Sequence, residues 1–294
     1  MKSFKLYTHN NWKKYAWESI NDSKYIQWDI KHCYYGDPHP PPEKHEKVFY
    51  TSSELEHALH HNCATKIAYM EEAWHIVPWY YDYLDSIVDN FDIVLTHNTN
   101  ILKKYPDKGV FYPHCNCIIP REHFSIYGKD RLISFISSNK NMNVSGHILR
   151  HGFYEIYINR QQNWANRLVA DKQIDLFGTL PGNHVSNKLA SLQRYMFQIV
   201  FENSIADIYF TEKILDCFVT GTIPIYYGTK KIDDFFNPEG ILHFSTLEEL
   251  FDIISGLSPE VYCSKQQAII DNFNRAQDFI VAEDWIFENT NVFD

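Results

Sequence analysis

The chain has 294 residues, of which 45% are hydrophobic and 16% aromatic, and its formal net charge is −10. This composition can supply a substantial core, and the length predicts two domains. The acidic balance argues against a nucleic-acid backbone as the main partner, and no apolar run approaches the ~20 residues that a membrane-spanning helix needs.

The first half of the chain alternates short apolar runs with helical patterns. Helices are predicted at residues 53–61 and 79–90, the second with Pro78 at its start. Strands that alternate with helices predict a parallel α/β sheet. The predicted strands are residues 4–8, 25–30, 48–50, 67–70, 93–96 and 110–112.

A change in pattern marks the boundary between two predicted domains. Residues 37–47 form a proline-rich, charged loop, for which a linker or a lid is the expected role. Residues 117–130 are irregular, which divides the chain into an N-terminal domain (1–125) and a C-terminal domain (126–294) with a closing C-terminal helix. The second domain has predicted strands at 132–137, 174–177, 197–201 and 223–227, and helices at 146–163, 187–195, 209–219, 247–257 and 259–280.

The strongest functional signal lies between residues 197 and 228. A buried strand is predicted to end at the polar residues 202–204, and a helix follows with Glu212 and Lys213 in its first turn. Ligands bind at the carboxyl ends of strands in open α/β sheets, and helix N-termini attract phosphate. Because Lys213 suits a phosphate and Glu212 suits sugar hydroxyls, the pair favours a nucleotide-sugar. Two solvated first-turn residues are the alternative.

Three short motifs resemble the donor-binding signature of the α1,3/α1,4-fucosyltransferases, which are family 10 of the glycosyltransferases. They are Phe-Glu-Asn-Ser (201–204), Thr-Glu-Lys-Ile (211–214) and Thr-Ile-Pro-Ile-Tyr-Tyr-Gly (222–228), and flanking similarity extends the resemblance to residues 132–257. The resemblance implies the GT-B architecture, in which two Rossmann-like domains face a central cleft. The acceptor would bind the N-terminal half and the nucleotide-sugar the C-terminal half.

The resemblance also implies the donor-binding residues. Arg150 corresponds to the phosphate-binding arginine, although an insertion at residues 140–146 would pass that role to Lys140, and a surface arginine is the alternative. Glu202 would shape the loop after the strand. Together with Arg150, the donor-binding residues are Asn203, Tyr209, Glu212 and Lys213.

A base for the acceptor hydroxyl is expected at the end of a strand in the N-terminal domain. Glu72 is the preferred base and Glu71 the alternate, by a faint resemblance to the family strand that ends in an acidic residue. Burial by Trp74 and Trp79 would raise the pKa of the base toward neutrality. Trp74 and His75 are the predicted acceptor-binding residues. The alternatives are two solvated glutamates and a core histidine.

The cysteines and histidines do not predict a metal centre. His57 and His61 have i,i+4 spacing but lack the His-Glu-x-x-His pattern, and the pair Cys115 and Cys117 has no second pair. No Asp-x-Asp motif flanked by a strand is present. We therefore predict metal-independent chemistry with no cofactor beyond the donor substrate. The six cysteines fit reduced thiols in a cytosolic protein.

Together these features predict an inverting glycosyltransferase that moves L-fucose from GDP-fucose to a hydroxyl of a glycan, either a GlcNAc-containing oligosaccharide or a lipopolysaccharide O-antigen. The alternatives are another nucleotide-sugar donor, a catalytically silent glycan-binding protein on the same fold, or a histidine-rich metal hydrolase. Residues 1–9 lack the apolar segment of a signal peptide, so a cytoplasmic location is expected, with peripheral membrane association left open. The chain resembles the bacterial or viral type of the family.

Overall fold

The computed structural model describes residues 1–9, 22–33, 41–159 and 172–294. The chain forms two compact units. Unit 1 comprises Met1–Asn116, Ala206–Tyr209 and Asp278–Asp294, and unit 2 comprises Cys117–Ile205 and Phe210–Gln277. The predicted division of the chain between residues 125 and 126, into an acceptor-binding and a nucleotide-sugar-binding domain, stays a prediction. The compact units divide the chain nine residues earlier and assign two later segments to unit 1.

Strands and helices alternate along the described residues. The strands are β1 (Lys2–His9), β2 (Ile26–Cys33), β3 (Lys47–Thr51), β4 (Thr65–Met70), β5 (Ile93–Thr96), β6 (Gly109–Phe111), β7 (Arg131–Ile136), β8 (Ile174–Phe177), β9 (Tyr195–Phe201), β10 (Ile223–Tyr227) and β11 (Leu242–His243). The helices are α1 (Pro78–Ile87), α2 (Thr99–Lys104), α3 (Ser145–Ile158), α4 (Glu212–Phe218), α5 (Leu247–Gly256), α6 (Pro259–Ser264), α7 (Gln266–Ala276) and α8 (Ala282–Asn289). Short 3-10 segments lie at Ser52–Leu59, Val88–Asn90, Arg121–His123, Lys188–Ser191, Lys230–Asp234, Pro238–Gly240 and Gln277–Phe279.

Unit 1 contains a parallel sheet in the order β2-β1-β3-β4-β5-β6. Its central strands β3 and β4 are almost continuously buried, as is typical of parallel sheets covered on both faces. Met70 pairs with Thr96 in the register of β4 with β5. The residues that follow these two strands therefore lie side by side at the carboxyl edge of the sheet.

Unit 2 contains a second parallel sheet, in the order β11-β10-β9-β7-β8. Strand β9 lies at its centre, and α4 returns the chain from β9 to β10. Phe201 at the end of β9 pairs with Tyr227 at the end of β10. The polar loop after residue 201 therefore begins at the carboxyl edge of the sheet, as the apolar runs predicted. The core includes Phe135, Phe153, Phe197, Ile225 and Leu250.

The predicted helix at 187–195 is wrong. Only Lys188–Ser191 forms a short 3-10 segment, and β9 begins at Tyr195. In a helix, a backbone carbonyl accepts a hydrogen bond from the N–H four residues later. Here side chains donate to the Ser191 carbonyl instead. The Ser191 carbonyl accepts hydrogen bonds from Ser134 Oγ (2.6 Å) and Gln198 Nε2 (3.0 Å). The apolar spacing of this segment therefore reflects burial rather than helical periodicity.

Other helices differ from prediction in their bounds or type. The pattern at 259–280 is divided into α6, α7 and a 3-10 segment, because Lys265 leaves helical geometry between α6 and α7. The segment predicted as a helix at 53–61 is a 3-10 segment, and α2 and α8 were not predicted. Residues 160–163 of the predicted helix at 146–163, and residues 37–40 of the proline-rich loop, lie outside the described residues. Within the described ranges no helix combines the length and apolarity needed to cross a membrane.

Candidate active site

The loop after β9 is organised by Glu202, whose side chain is fully buried. Its carboxylate accepts hydrogen bonds from the Thr211 backbone N–H (2.9 Å), the Thr211 hydroxyl (2.8 Å) and Lys213 Nζ (3.2 Å). Burial raises the pKa of Glu202, while the Lys213 charge opposes that shift. Glu202 thus connects the end of β9 to the first turn of α4.

Glu212 and Lys213 lie in that first turn, and neither is a simple solvated residue. Glu212 is only 9% exposed. Lys213 Nζ lies 3.5 Å from Glu212 Oε1 as well as 3.2 Å from Glu202 Oε2. Although burial acts to raise it, the pKa of Glu212 lies below its ordinary value because Lys213 and Lys188 are close. Two carboxylates therefore share the charge of Lys213.

Lys188 is a half-buried cation that the sequence analysis missed. Its Nζ donates to Asp216 Oδ2 at 2.6 Å. Burial acts to lower the pKa of Lys188, but Asp216 and Glu212 raise it above the ordinary value, so the amine stays charged. The other oxygen of Asp216 accepts from the Ile118 backbone N–H at 2.9 Å. The available signal was the i,i+4 spacing of Glu212 and Asp216 on the buried face of a short helix.

Arg150 is a buried cation of a different kind. It lies on α3, is 6% exposed, and donates to the Lys140 carbonyl and to Ser138 Oγ (3.4 Å). In the part of the chain that the structure describes, its Nε has no hydrogen-bond partner and no carboxylate pairs with it. Burial lowers its pKa to about 10, which leaves it charged at neutral pH. A buried charge without a counter-ion is costly, so this position is suited to an anionic ligand.

His147 contacts the loop after β9 and lies close enough to Arg150 to be affected by its charge. Its Nδ1 accepts from the Met142 backbone N–H at 2.9 Å, and its Nε2 lies 3.1 Å from Asn203 Oδ1. Burial, then the charges of Arg150 and Lys213, lower the pKa of His147 to about 4. The charges of Arg150 and Lys213 both lower the pKa of His147, whose ring also contacts Asn203. Arg150, Lys213 and Asn203 therefore lie near one another in unit 2. The predicted substitute, Lys140, is exposed and contributes its backbone carbonyl.

Tyr209 lies in unit 1, where it contacts the predicted base. Its hydroxyl donates to Glu72 Oε1 at 3.0 Å. Its ring packs against His97 and His114, with centroids at 5.2 and 5.6 Å. Glu72 follows β4 and is half-buried. A residue predicted to bind the donor and the residue predicted to act as the base are therefore in contact.

The neighbouring carboxylate, Glu71, has a different environment. It is 8% exposed and accepts a hydrogen bond from the Ser52 backbone N–H at 3.0 Å. Burial raises its pKa to about 7. Trp74 and Trp79, the residues expected to bury the base, are themselves 45% and 55% exposed. The buried carboxylate after β4 is Glu71, the alternate base, because it faces inward at the sheet edge.

The predicted acceptor residues Trp74 and His75 also lie in unit 1, as does His97. Trp74 and His75 are both exposed, and their rings meet edge to face at 5.3 Å. His97 was missed by sequence analysis: it is buried, and among the described residues neither ring nitrogen has a hydrogen-bond partner. Across the described ranges, no group of three or more His, Cys, Asp or Glu side chains is arranged to hold a metal ion.

Residues 128–265 match the sequence model described as "Glycosyltransferase family 10 (fucosyltransferase) C-term". These residues are similar to the C-terminal domain of the family 10 glycosyltransferases. The resemblance seen in the donor-binding motifs is therefore confirmed, and the family match covers Arg150 as well as the loop and first helical turn built around Glu202.

A bacterial fucosyltransferase is similar in sequence to part of this chain. The α-(1,3)-fucosyltransferase FucT of Helicobacter pylori is 32% identical over 127 residues, which are 42% of this chain and 24% of that protein. The aligned stretch thus spans about a quarter of the length of this curated relative.

Solved structures extend the likeness to the whole chain at the level of fold. A crystal structure of an α1,3-fucosyltransferase superposes with a TM-score of 0.55 and 17% identity, covering 99% of this chain and 92% of that one. A structure of an α1,3-fucosyltransferase with GDP-fucose gives 0.53 and 18%, covering 92% and 83%. The chain therefore has the GT-B fold, with two Rossmann-like units, as the resemblance predicted.

Proposed function

We propose that this protein transfers L-fucose from GDP-fucose to a hydroxyl of a glycan acceptor. The observation that carries the proposal is Arg150, a buried guanidinium that no described carboxylate neutralises, in the same neighbourhood as Asn203 and Lys213. The family match and the relatives named as α1,3-fucosyltransferases support fucose as the transferred sugar. A structural neighbour with GDP-fucose supports the guanine nucleotide.

In the proposed donor complex, Arg150 and Lys213 hold the diphosphate. Negative charge grows on the leaving phosphate as its bond to the sugar breaks, and fixed cations can stabilise that charge without a metal ion. Two carboxylates already offset much of the Lys213 charge, so we assign Arg150 the larger share of this stabilisation. Glu212 suits the hydroxyls of the sugar or ribose, because its lowered pKa keeps it an acceptor.

In the proposed transfer step, the acceptor oxygen attacks the anomeric carbon from the face opposite the diphosphate, which inverts its configuration. Glu72 accepts the proton of the attacking hydroxyl. We prefer Glu72 to Glu71 because Glu72 is half-buried and contacts Tyr209, whereas Glu71 is buried against the Ser52 backbone. The exposed rings of Trp74 and His75 are the proposed acceptor contacts.

A thermal-shift experiment tests the donor site. GDP, GDP-fucose, GDP-mannose and a set of UDP-sugars are compared, each with and without a chelator, on the wild type and on Lys213→Ala and Arg150→Gln. Ligand at 100 times its Kd stabilises the native state by about 2.7 kcal/mol. We expect chelator-resistant stabilisation by GDP and GDP-fucose in the wild type and at least about tenfold weaker binding in both variants. Lys230→Ala, which removes an exposed lysine of unit 2, is the matched control.

The same panel separates the alternatives. Stabilisation by UDP-sugars alone would keep the reaction class and reject fucose, and a requirement for metal would reject the metal-independent mechanism. Failure of every nucleotide to bind would favour a catalytically silent glycan-binding protein. For a protein that binds GDP-fucose, release of GDP in the presence of candidate glycans measures transfer, and NMR of the product gives the anomeric configuration.

A further inference from the structure

The protonation of His147 can be assigned from its hydrogen bonds. The Met142 backbone N–H can only donate, and it points at Nδ1 with an N···N distance of 2.9 Å. Nδ1 is therefore the acceptor of a neutral ring, and the ring proton is on Nε2. Nε2 then donates to the atom 3.1 Å away, which is Asn203 Oδ1.

This assignment fixes the orientation of the Asn203 amide. A reversed amide would bring its NH₂ group against the Nε2 proton of His147, and two donors would face each other. With Oδ1 held by His147, the Nδ2 group points away from the ring, and no residue in the described ranges accepts a hydrogen bond from it. Asn203 is only half-buried, so Nδ2 is available to a ligand.

We propose that His147 is a positioning residue of the donor site, which turns Asn203 so that its Nδ2 group donates to an oxygen of the bound nucleotide-sugar. The inference rests on the proposed function and deepens it. The acceptor oxygen belongs to the diphosphate or to the sugar attached to it, because Arg150 and Lys213 act on the same ring. His147 itself does not touch the donor in this arrangement.

The groups around the His147 ring keep it in one protonation state. Burial, Arg150 and Lys213 each disfavour a second proton on His147, which has a pKa of about 4. The ring therefore stays neutral at physiological pH, with one nitrogen that donates and one that accepts. A charged ring would lose the hydrogen bond from Met142, because both of its nitrogens would carry protons.

Three variants test the positioning role by isothermal titration with GDP and GDP-fucose. His147→Phe keeps a ring but removes both hydrogen bonds, and we expect about tenfold weaker binding of GDP-fucose. His147→Gln supplies an amide that can accept from Met142 and donate to Asn203, so we expect binding within about threefold of the wild type. His151→Ala is the matched control. His151 lies on the same helix and its Nε2 lies 3.0 Å from the Lys140 carbonyl oxygen, but within the described residues no hydrogen bond joins it to Asn203.

The outcomes distinguish this inference from the proposed function. A wild type that binds neither GDP nor GDP-fucose would remove the proposed function itself. A wild type that binds, together with a His147→Phe variant that binds equally well, would overturn only the positioning role. Equal losses in His147→Phe and His151→Ala would also overturn it, since the effect would then come from the loop that both histidines contact.

A spectroscopic measurement checks the geometry independently of affinity. In a long-range ¹H–¹⁵N spectrum of the wild type between pH 6 and 8, His147 is expected to show a protonated Nε2 and an unprotonated Nδ1. His147→Gln identifies its signals by their disappearance. A ring protonated at Nδ1, or at both nitrogens, would contradict the assignment of the Asn203 amide on which the proposal depends.

Discussion

Two adjacent carboxylates at the end of β4 differ in what each can do. Glu71 turns into the protein, where burial raises its pKa to about 7, and Glu72 remains half-buried beside the Tyr209 hydroxyl. A base must have a suitable pKa and must also reach the hydroxyl that it deprotonates. Geometry favours Glu72 and the pKa favours Glu71, so substitution of each residue is informative.

Glutamine variants of these two residues should differ in their effect on turnover. We expect Glu72→Gln to lower kcat by about 10²–10⁴, the usual contribution of a general base, with little change in the KM for GDP-fucose. Glu71→Gln should keep kcat within about tenfold, because an amide still accepts the hydrogen bond from Ser52. The measurement is the steady-state rate of GDP release with a fixed glycan acceptor.

The pH profile supplies the check on this assignment. If Glu71 were the base, the wild-type rate would fall as the pH drops below about 7, because the folded-state carboxyl would take up a proton. That fall would disappear in Glu71→Gln, along with most of the activity. A large loss in Glu71→Gln and a small one in Glu72→Gln would reverse the roles proposed for the two residues.

The sequence predicts site residues best where a local motif carries them. Glu202, Asn203 and Lys213 lie within one strand-loop-helix unit, and the structure groups them with Arg150. The contact between Tyr209 and Glu72 joins residues 137 positions apart, so no local pattern encodes it. Lys188 was missed for the same reason, because the carboxylates that keep it charged belong to α4.

At the scale of elements, α3 approaches the loop after β9 unusually closely at Gly146. The Gly146 N–H donates to the Asn203 carbonyl at 3.1 Å. A Cβ atom added there would lie 1.7 Å from the Glu202 carbonyl oxygen, which no side chain could tolerate without movement of the backbone. Glycine at this position therefore lets α3 bring His147 and Arg150 against the loop.

Alanine at position 146 should disturb stability and donor binding together. The clash must displace α3 or the loop, so we expect a loss of about 1–3 kcal/mol in the free energy of unfolding. We also expect at least about tenfold weaker GDP binding, because Arg150 and His147 move with the helix. Denaturant unfolding and calorimetric titration measure the two effects.

Gly152→Ala is the matched control, because it lies on the same helix. A Cβ there meets only Leu247 Cδ1, at an ordinary 3.4 Å. Replacing a helical glycine by alanine should then stabilise the protein by up to about 1 kcal/mol and leave GDP binding unchanged. Equal behaviour of the two variants would show that the close approach at Gly146 does not matter to the site.

Strands were easier to predict than helices for a physical reason. The strands at 93–96, 174–177 and 223–227 were predicted with the bounds that the structure has, because buried parallel strands are short apolar runs. Helix ends and types depend on capping and on side chains that compete for carbonyl groups. The segment at 187–195 shows this, since Ser134 and Gln198 bind the Ser191 carbonyl from other parts of the chain.

At the scale of the molecule, the order of segments along the chain is not the order in which they pack. Residues 278–294 follow unit 2 in sequence but belong to unit 1, together with the short segment 206–209. Lys47 Nζ donates to the Val292 carbonyl at 2.7 Å, and Lys2 Nζ donates to the Phe293 carbonyl at 2.8 Å. A division by sequence position alone cannot anticipate such a return, because the contacts form between segments more than 240 residues apart.

Replacing Phe293 tests how much the C-terminal residues stabilise unit 1. Its side chain is 2% exposed and its ring lies 5.1 Å from that of Phe4 and 5.3 Å from that of Phe49. Truncating a buried Phe to Ala costs about 3–5 kcal/mol, so Phe293→Ala should markedly lower the stability of unit 1. Hydrogen exchange should speed up in β1 and β3 while β9 and β10 keep their protection, and the exposed-site variant Asn291→Ala should leave both unchanged. Equal acceleration in the two sheets would instead show that the units unfold as one, and no acceleration would show that the last residues add little to the core of unit 1.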